Sequence, residues 1–171
     1  MMLTARRIYA ISFVLALGFF TGGIVLGTLL YLAACPLCII QRMLYLLFAL
    51  AALIGLVFHR SASARAFAGV LMLGVAGTGV FVAGYQTWIQ HYPSGIGCAV
   101  NSPWWEEFVY WAGAKAPLLF QAGGVCEDAR WKLLGLSIAE YSLIAFSGLT
   151  LLALVALLRC CGERDSDLNS K

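Results

Sequence analysis

Long apolar runs with almost no charged residues constrain this chain more than any other feature. The first, Ile8–Leu32, contains no charged residue and, at about 1.5 Å of rise per helical residue, exceeds a hydrocarbon core of roughly 30 Å. Three further runs, at residues 39–58, 66–90 and 138–158, contain at most one charged residue each. Because backbone N–H and C=O groups in lipid must pair within the spanning segment, each run is predicted to be a transmembrane α-helix.

The composition agrees with a membrane protein. Of all residues, 62% are hydrophobic and 11% are charged, whereas soluble domains have about 45–50% and about 25%. We therefore predict an all-α membrane protein, a four-transmembrane-helix bundle that forms one integral domain over residues 1–171. The net charge is only +3 and no lysine- or arginine-rich tract is present in the sequence, which argues against a nucleic-acid partner.

The distribution of lysine and arginine predicts the orientation of the spans. Four spans leave both termini on one side, and basic residues near span ends mark the cytoplasmic side. The loops at about 33–38 and 91–137 are thus predicted to face outward and the tail at 159–171 to be cytoplasmic. Cys160 and Cys161 share the cytoplasmic side, where thiols stay reduced, and are expected to have no role. The basic residues on that side are Arg6, Arg7, Arg60, Arg65, Arg159, Arg164 and Lys171.

The first apolar run has an alternative interpretation as a cleaved signal peptide. Its end, Leu32-Ala33-Ala34-Cys35, is similar to a bacterial lipoprotein cleavage site. However, the apolar core of a signal peptide is about 7–15 residues long, much shorter than this run, and a second apolar run follows at once. We therefore favour a retained transmembrane helix.

The segment Cys35-Pro36-Leu37-Cys38 lies where the first outward loop enters the second helix. Proline is favoured at the first helical position, which makes Cys35 the expected N-cap and puts Cys38 in the first turn. Unpaired N–H groups and the helix dipole favour a thiolate there, and Arg42 lies one turn further along the same face. Cys38 is therefore a candidate for a stabilised sulfur anion, and Arg42 for a contact to it and to an oxidant in the membrane. Alternatively, Arg42 reaches to the interface without a function.

Two further cysteines, Cys98 and Cys126, lie in the long outward loop. A disulfide between them that merely closes the loop would stabilise the fold by about 3 kcal/mol. Because the Cys35/Cys38 pair is predicted on the same side of the membrane, we favour disulfide exchange between the two pairs over a purely structural disulfide. A four-cysteine zinc site is the alternative, but the loop cysteines do not form the usual close pair, so we predict no metal. Gly123-Gly124 suggests a mobile approach to Cys126.

The long outward loop is also predicted to contain a short amphipathic helix. Ser102 and Pro103 are suited to begin it, and Trp104, Phe108 and Trp111 fall on one helical face. Such a helix would lie in the headgroup layer or, alternatively, pack as a small cap over the bundle.

Three motifs in these loops are specific in combination. They are Cys-Pro-Leu-Cys-Ile-Ile-Gln-Arg from Cys35 to Arg42, then Tyr92-Pro93-Ser94, then Cys126-Glu-Asp-Ala-Arg-Trp131 followed by Leu134-Gly135-Leu136. Each is weak alone, but together they resemble the DsbB family of quinone-linked thiol oxidases. The resemblance extends from about residue 7 to 158 and implies a multi-pass protein of the bacterial inner membrane with periplasmic loops and cytoplasmic termini.

The resemblance also implies an activity. A DsbB-like protein is a membrane thiol:quinone oxidoreductase that reoxidises a periplasmic DsbA-type thioredoxin-fold oxidase and passes the electrons to ubiquinone or menaquinone. On this basis the reduced partner attacks Cys98, which releases Cys126, and Cys126 then attacks Cys35. Cys38 is thereby freed to contact the quinone with Arg42 nearby. The catalytic candidates are thus the four outward cysteines.

One position departs from the family pattern. Some members carry a histidine near the quinone, about two turns before the Tyr-Pro-Ser motif, and this chain has Gln86 there. A neutral amide can donate a hydrogen bond to a quinone carbonyl but supplies no charge. Gln86 is therefore a candidate quinone contact, and any positive charge at that site is expected from Arg42.

Two alternatives to this function remain open at the level of sequence. A vitamin K epoxide reductase-like protein is also a four-helix quinone-coupled bundle, but it places the C-x-x-C pair after the loop pair, whereas this chain has the reverse order. A non-catalytic membrane subunit with structural disulfides is the alternative from another class.

Overall fold

The computed structural model describes residues 5–92, 104–120, 122–124, 126 and 131–169. It is mostly helical, and a short antiparallel hairpin precedes the last helix. The elements in chain order are α1 (Ala5–Leu29), α2 (Pro36–Val57), α3 (Ala62–His91), α4 (Trp104–Lys115), α5 (Pro117–Phe120), β1 (Lys132–Leu133), β2 (Leu136–Ser137) and α6 (Ile138–Asn169).

Four helices in the described ranges are long and apolar enough to cross a membrane, namely α1, α2, α3 and the Ile138–Cys160 part of α6. The predicted all-α, four-transmembrane-helix fold is therefore confirmed, while the assignment of residues 1–171 to one domain stays a prediction. Helix α3 begins at Ala62, four residues before its predicted span. The reason is local, because Ser61 is an N-cap whose Oγ accepts a hydrogen bond from the Ala64 N–H (3.4 Å).

Aromatic rings packed against small residues hold the long helices together. Gly55 faces the ring of Tyr9, and Gly79 faces the ring of Phe146, so that a Cβ atom at either glycine would overlap the ring. Small residues of this kind let membrane helices approach closely. Phe146 also stacks on Tyr45 with ring centroids 4.1 Å apart. These contacts join α1 to α2, α3 to α6 and α2 to α6. Helix α3 also packs on α2, and α1 packs mainly on α2.

The hairpin and the start of α6 follow from short-range chemistry. Leu134 and Gly135 have φ values of 52° and 85°, as a two-residue turn with both central residues in the left-handed region requires. Helix α6 then begins with a reciprocal cap. The Ser137 N–H donates to Glu140 Oε2 (2.6 Å), and the Glu140 N–H donates to Ser137 Oγ (3.3 Å).

Helix α4 occupies the segment predicted to be amphipathic. Its aromatic face is open, since Trp104, Phe108 and Trp111 are 80%, 56% and 61% exposed. Glu106, by contrast, is buried against the rest of the protein and accepts a hydrogen bond from the Tyr110 hydroxyl (3.2 Å). The exposed aromatic face suits a helix at the headgroup layer, while the buried Glu106 shows that the opposite side of α4 packs on the protein.

Candidate functional site

Three cysteine side chains meet at the N-terminal end of α2, which we call the cysteine end of the bundle. The sulfur atoms of Cys35 and Cys38 lie 2.9 Å apart, and the side chain of Cys35 is also hydrogen-bonded to that of Cys126. A disulfide bond is about 2.05 Å long, so Cys35 and Cys38 are a close pair of thiols in this structure. Cys35 therefore lies between Cys38 and Cys126 and is within reach of both for thiol–disulfide exchange.

The start of α2 gives Cys35 and Cys38 different environments. Cys35 is the extended N-cap, Pro36 begins the helix, and Cys35 Sγ accepts from the Cys38 N–H (3.3 Å), which confirms the predicted local geometry. Hydrogen bonds to Cys126 and Cys38, together with burial, raise the pKa of Cys35 well above that of an ordinary thiol. Cys35 is thus the member of the pair that keeps its proton.

Arg42 is anchored across the bundle on α1. Its Nη2 donates to the backbone oxygen of Gly23 (2.8 Å). Gly27 makes room for the side chain, because a Cβ there would lie 3.0 Å from Arg42 Nη2, whereas one at Gly23 would lie 3.6 Å from Nε, an ordinary contact. The sequence analysis did not identify the roles of Gly23 and Gly27, which lie four residues apart on one face of α1.

A cavity of about 290 Å³ adjoins Cys38 and Arg42. It lies between α1, α2 and α6, and its walls are largely apolar, with Cys38, Gln41 and Arg42 supplying polar groups. The volume is near the lower end of the roughly 300–1,000 Å³ that is usual for small-molecule sites. The cavity therefore suits an apolar small molecule with a polar group that contacts Cys38, Gln41 or Arg42. Its other lining residues include Phe19, Leu26, Tyr45 and Tyr141.

Two buried amide side chains, those of Gln41 and Gln86, are connected to the cysteine pair by hydrogen bonds. Gln86 Nε2 donates to the sulfur atoms of Cys38 (3.2 Å) and Cys35 (3.3 Å), and Gln41 Nε2 donates to Gln86 Oε1 (2.8 Å). Both glutamines are only 2% exposed. Of the two amides, Gln41 lines the cavity and Gln86 contacts the sulfur atoms. The expected contact between Gln86 and a quinone stays a prediction.

Backbone contacts bring Cys126 to the cysteine pair. The N–H groups of Gly123 and Gly124 both donate to the carbonyl oxygen of Ala34, at 3.0 and 3.1 Å. Gln90 Nε2 also donates to the backbone oxygen of Cys126 (3.4 Å). The segment before Cys126 is thus docked on the residue that precedes Cys35, although its glycines had suggested a mobile approach.

Of the remaining cysteine side chains, the structure describes that of Cys160. Cys98, the fourth predicted site residue, lies outside the described residues. Cys160 is buried near the start of α3, where its sulfur contacts the Ala62 carbonyl oxygen (3.4 Å). Ala62 and Gln86 are separated by about 36 Å along α3, at about 1.5 Å per residue. Cys160 is therefore at the opposite end of the bundle from Cys35.

Comparison with known proteins gives the family. The sequence model of the family described as "Disulfide bond formation protein DsbB" matches residues 5–156. The chain belongs to the DsbB family. A protein named "Disulfide bond formation protein B" from Dechloromonas aromatica is 39% identical over 145 residues, which cover 84% of this chain and 86% of that protein. The protein of the same name from Aromatoleum aromaticum is 35% identical over 167 residues, 94% of this chain and 95% of its own length.

Membership of the DsbB family, together with the four apolar helices, makes this chain a disulfide-forming oxidoreductase with several membrane spans. The family implies a quinone, and the cavity is compatible with one. Its lining combines apolar side chains with the guanidinium of Arg42 and the sulfur of Cys38.

Proposed function

We propose that this protein is a thiol:quinone oxidoreductase of the bacterial inner membrane that reoxidises a periplasmic DsbA-type thioredoxin-fold oxidase. Membrane quinone, ubiquinone or menaquinone, takes the electrons. One observation carries the proposal: Cys38 shares a cavity wall with Arg42, while Cys35, its partner in the pair, is hydrogen-bonded to Cys126. The pair thus has one sulfur toward an apolar site and the other toward a loop cysteine.

The first step takes electrons from the protein partner. A thiolate of the reduced partner attacks Cys98 in a Cys98–Cys126 disulfide, which forms a mixed disulfide and releases Cys126 as a thiolate. The second thiol of the partner later attacks this mixed disulfide, so that the oxidised partner leaves and Cys98 becomes a thiol. Two electrons have then entered the protein.

The second step moves these electrons to the C-x-x-C pair. The Cys126 thiolate attacks Cys35 in a Cys35–Cys38 disulfide, and Cys38 leaves as a thiolate. Cys98 then attacks Cys126, which restores the loop disulfide and leaves Cys35 as a thiol. The direction of this exchange is supported by the hydrogen bond between Cys35 and Cys126 and by the position of Cys38 in the first turn of α2, where N–H groups and the helix dipole favour an anion.

The third step returns the pair to the disulfide. Cys38 would present its thiolate to a quinone bound in the cavity, and Cys35 closes the disulfide on Cys38 as its own proton is lost. The two electrons released would convert the quinone to the quinol, with one proton from Cys35 and the second from water. Arg42 would hold the polar edge of the ring and offset negative charge there, since its anchoring on Gly23 keeps the guanidinium in the cavity wall.

Replacing Cys126 with serine separates the two halves of this relay. With reduced DsbA-type protein as the electron donor, quinone reduction by Cys126→Ser in detergent should fall at least about 100-fold, because attack on Cys98 no longer meets a disulfide. The same variant, reduced chemically and freed of reductant, should still reduce one equivalent of quinone from Cys35 and Cys38. Cys38→Ser should fail in both assays, and Cys160→Ser should pass both.

The alternatives give different results. If Cys126→Ser oxidised the partner at the same rate as the wild-type protein, the proposed order of exchange would be ruled out. A pre-reduced wild-type protein that passes no electrons to quinone would instead indicate a subunit with structural disulfides only.

A further inference from the structure

The Gln41–Gln86 pair has no part in the relay derived so far. Both side chains are buried among the helices near the cysteine end, and a buried amide is costly unless its groups are paired. Here the groups form one chain of donors, from Gln41 to Gln86 and from Gln86 to the cysteine sulfurs. In surroundings of low dielectric such hydrogen bonds are stronger than in water.

The orientation of Gln86 is fixed by Gln41. An amide has an accepting oxygen and a donating NH₂ group with two hydrogens. Because Gln41 Nε2 donates to Gln86 Oε1, the NH₂ group of Gln86 must face the other way, where the two sulfur atoms lie 3.2 and 3.3 Å from it. Gln86 therefore offers one hydrogen to each sulfur and no lone pair to either.

We propose that Gln86, oriented by Gln41, is a positioning residue that selectively stabilises the reduced form of the Cys35/Cys38 pair and so makes its disulfide a stronger oxidant. The importance of this effect rests on the proposed function, in which that disulfide must accept electrons from Cys126.

The chemical reason is the difference between sulfur acceptors. Reduction breaks the Cys35–Cys38 bond, adds two electrons and one proton, and leaves a thiol at Cys35 and a thiolate at Cys38. A thiolate accepts hydrogen bonds far more strongly than a disulfide sulfur does, so the Gln86 donors stabilise the product of reduction more than the starting disulfide. The proton stays on Cys35, in agreement with its raised pKa.

The reduction potential of the pair tests this proposal without quinone or protein partner. The full chain in detergent, with Cys98 and Cys126 replaced by serine so that one pair reacts, is equilibrated in glutathione buffers, alkylated and analysed by peptide mass spectrometry. In Gln86→Met, a substitution of similar size, the equilibrium constant for reduction should fall about 10–100-fold, which corresponds to about 30–60 mV. Gln41→Met should change it in the same direction by less, since Gln86 is then free to rotate.

The double variant shows whether Gln41 acts through Gln86 or whether the two glutamines act separately. If Gln41 acts through Gln86, then Gln41→Met combined with Gln86→Met should be no worse than Gln86→Met alone. Thr78→Val is the control, because Thr78 is exposed on α3 and its hydroxyl donates to the Gly74 carbonyl oxygen of the same helix. It should leave the equilibrium constant within about twofold of the parent.

Two results would overturn the proposal. One is an equilibrium constant in Gln86→Met within twofold of that of the parent, and the other is additive effects in the double variant. If Gln86→Met does not fold, an unchanged constant in Gln41→Met would have the same consequence. Either result would leave the proposed function intact, while a failure of quinone reduction would leave this measurement unaffected.

Discussion

Arg42 is a charged side chain on a helix that is long and apolar enough to span a membrane. Such residues usually face the interior of a bundle and pair with backbone carbonyls or with one another. Arg42 does so, since one of its five N–H donors is used on the Gly23 carbonyl oxygen of α1. The guanidinium is thus fixed in the wall of the cavity beside Cys38, with further donors for a ligand.

If Arg42 holds the polar edge of the quinone, its loss should affect quinone more than the protein partner. Arg42→Met should lower kcat/KM for quinone about 10–100-fold, the range for losing a charge-assisted hydrogen bond, and leave disulfide exchange with the partner largely intact. Arg42→Lys should rescue partly, because it restores the charge but not the planar fork. The measurement is absorbance across a quinone titration, with exposed Arg60→Met as control. Unchanged kinetics in Arg42→Met would leave Arg42 as an anchor only.

Local sequence was sufficient for part of this site and not for the rest. The N-cap at Cys35 and the first-turn position of Cys38 follow from the Cys-Pro-Leu-Cys order, because capping depends on neighbouring residues. The Gln41–Gln86 hydrogen bond joins residues 45 positions apart on two helices. It depends on the rotation and register of α2 against α3, which packing decides and no local pattern reveals.

Two segments that are predicted to face outward are joined by backbone hydrogen bonds at the cysteine end. The Ala34 carbonyl oxygen accepts from both Gly123 and Gly124, which requires the two chains to come very close. A Cβ at Gly124 would overlap the Ala33 carbonyl oxygen, whereas one at Gly123 would lie 3.6 Å from the Ala33 Cβ, an ordinary contact. Glycine is therefore needed at one of the two positions for close approach and not for mobility.

Gly124→Ala and Gly123→Ala form a matched pair that tests whether this contact aligns Cys126 with Cys35. Gly124→Ala should slow oxidation of the DsbA-type partner about tenfold or more, since a misplacement near 1 Å can cost about 100-fold. Gly123→Ala keeps its N–H and should stay within about twofold. Stopped-flow oxidation of the partner provides the rates, and single-turnover quinone reduction by pre-reduced protein should be unchanged in both. Equal rates for the two variants would show that the alignment does not depend on this contact.

At the scale of the whole molecule, the apolar runs predicted the four long helices but not how they pack. The runs are visible because lipid requires length and hydrophobicity. The packing of α3 between α2 and α6 depends on contacts such as Gly79 against Phe146, and small residues of this kind occur on several helix faces. The cavity beside Cys38 is bounded by three helices, so neither its size nor its lining could be predicted from sequence.

The orientation of the bundle stays a prediction, and α3 makes it testable. Its 30 residues extend about 45 Å, more than a hydrocarbon core of roughly 30 Å, so its two ends must lie on opposite sides. Arg60 and Arg65 flank the start of α3, and the positive-inside rule therefore puts exposed Ser63 in the cytoplasm.

In a version whose native cysteines are all serine, Ser63→Cys should react with a membrane-impermeant maleimide only after the cells are permeabilised. Lys115→Cys, at an exposed position at the end of α4, should react in intact cells. The reverse pattern would put Cys35 and Cys126 in the reducing cytoplasm. Thiols there stay reduced, so the cysteine cluster could not serve a periplasmic oxidase.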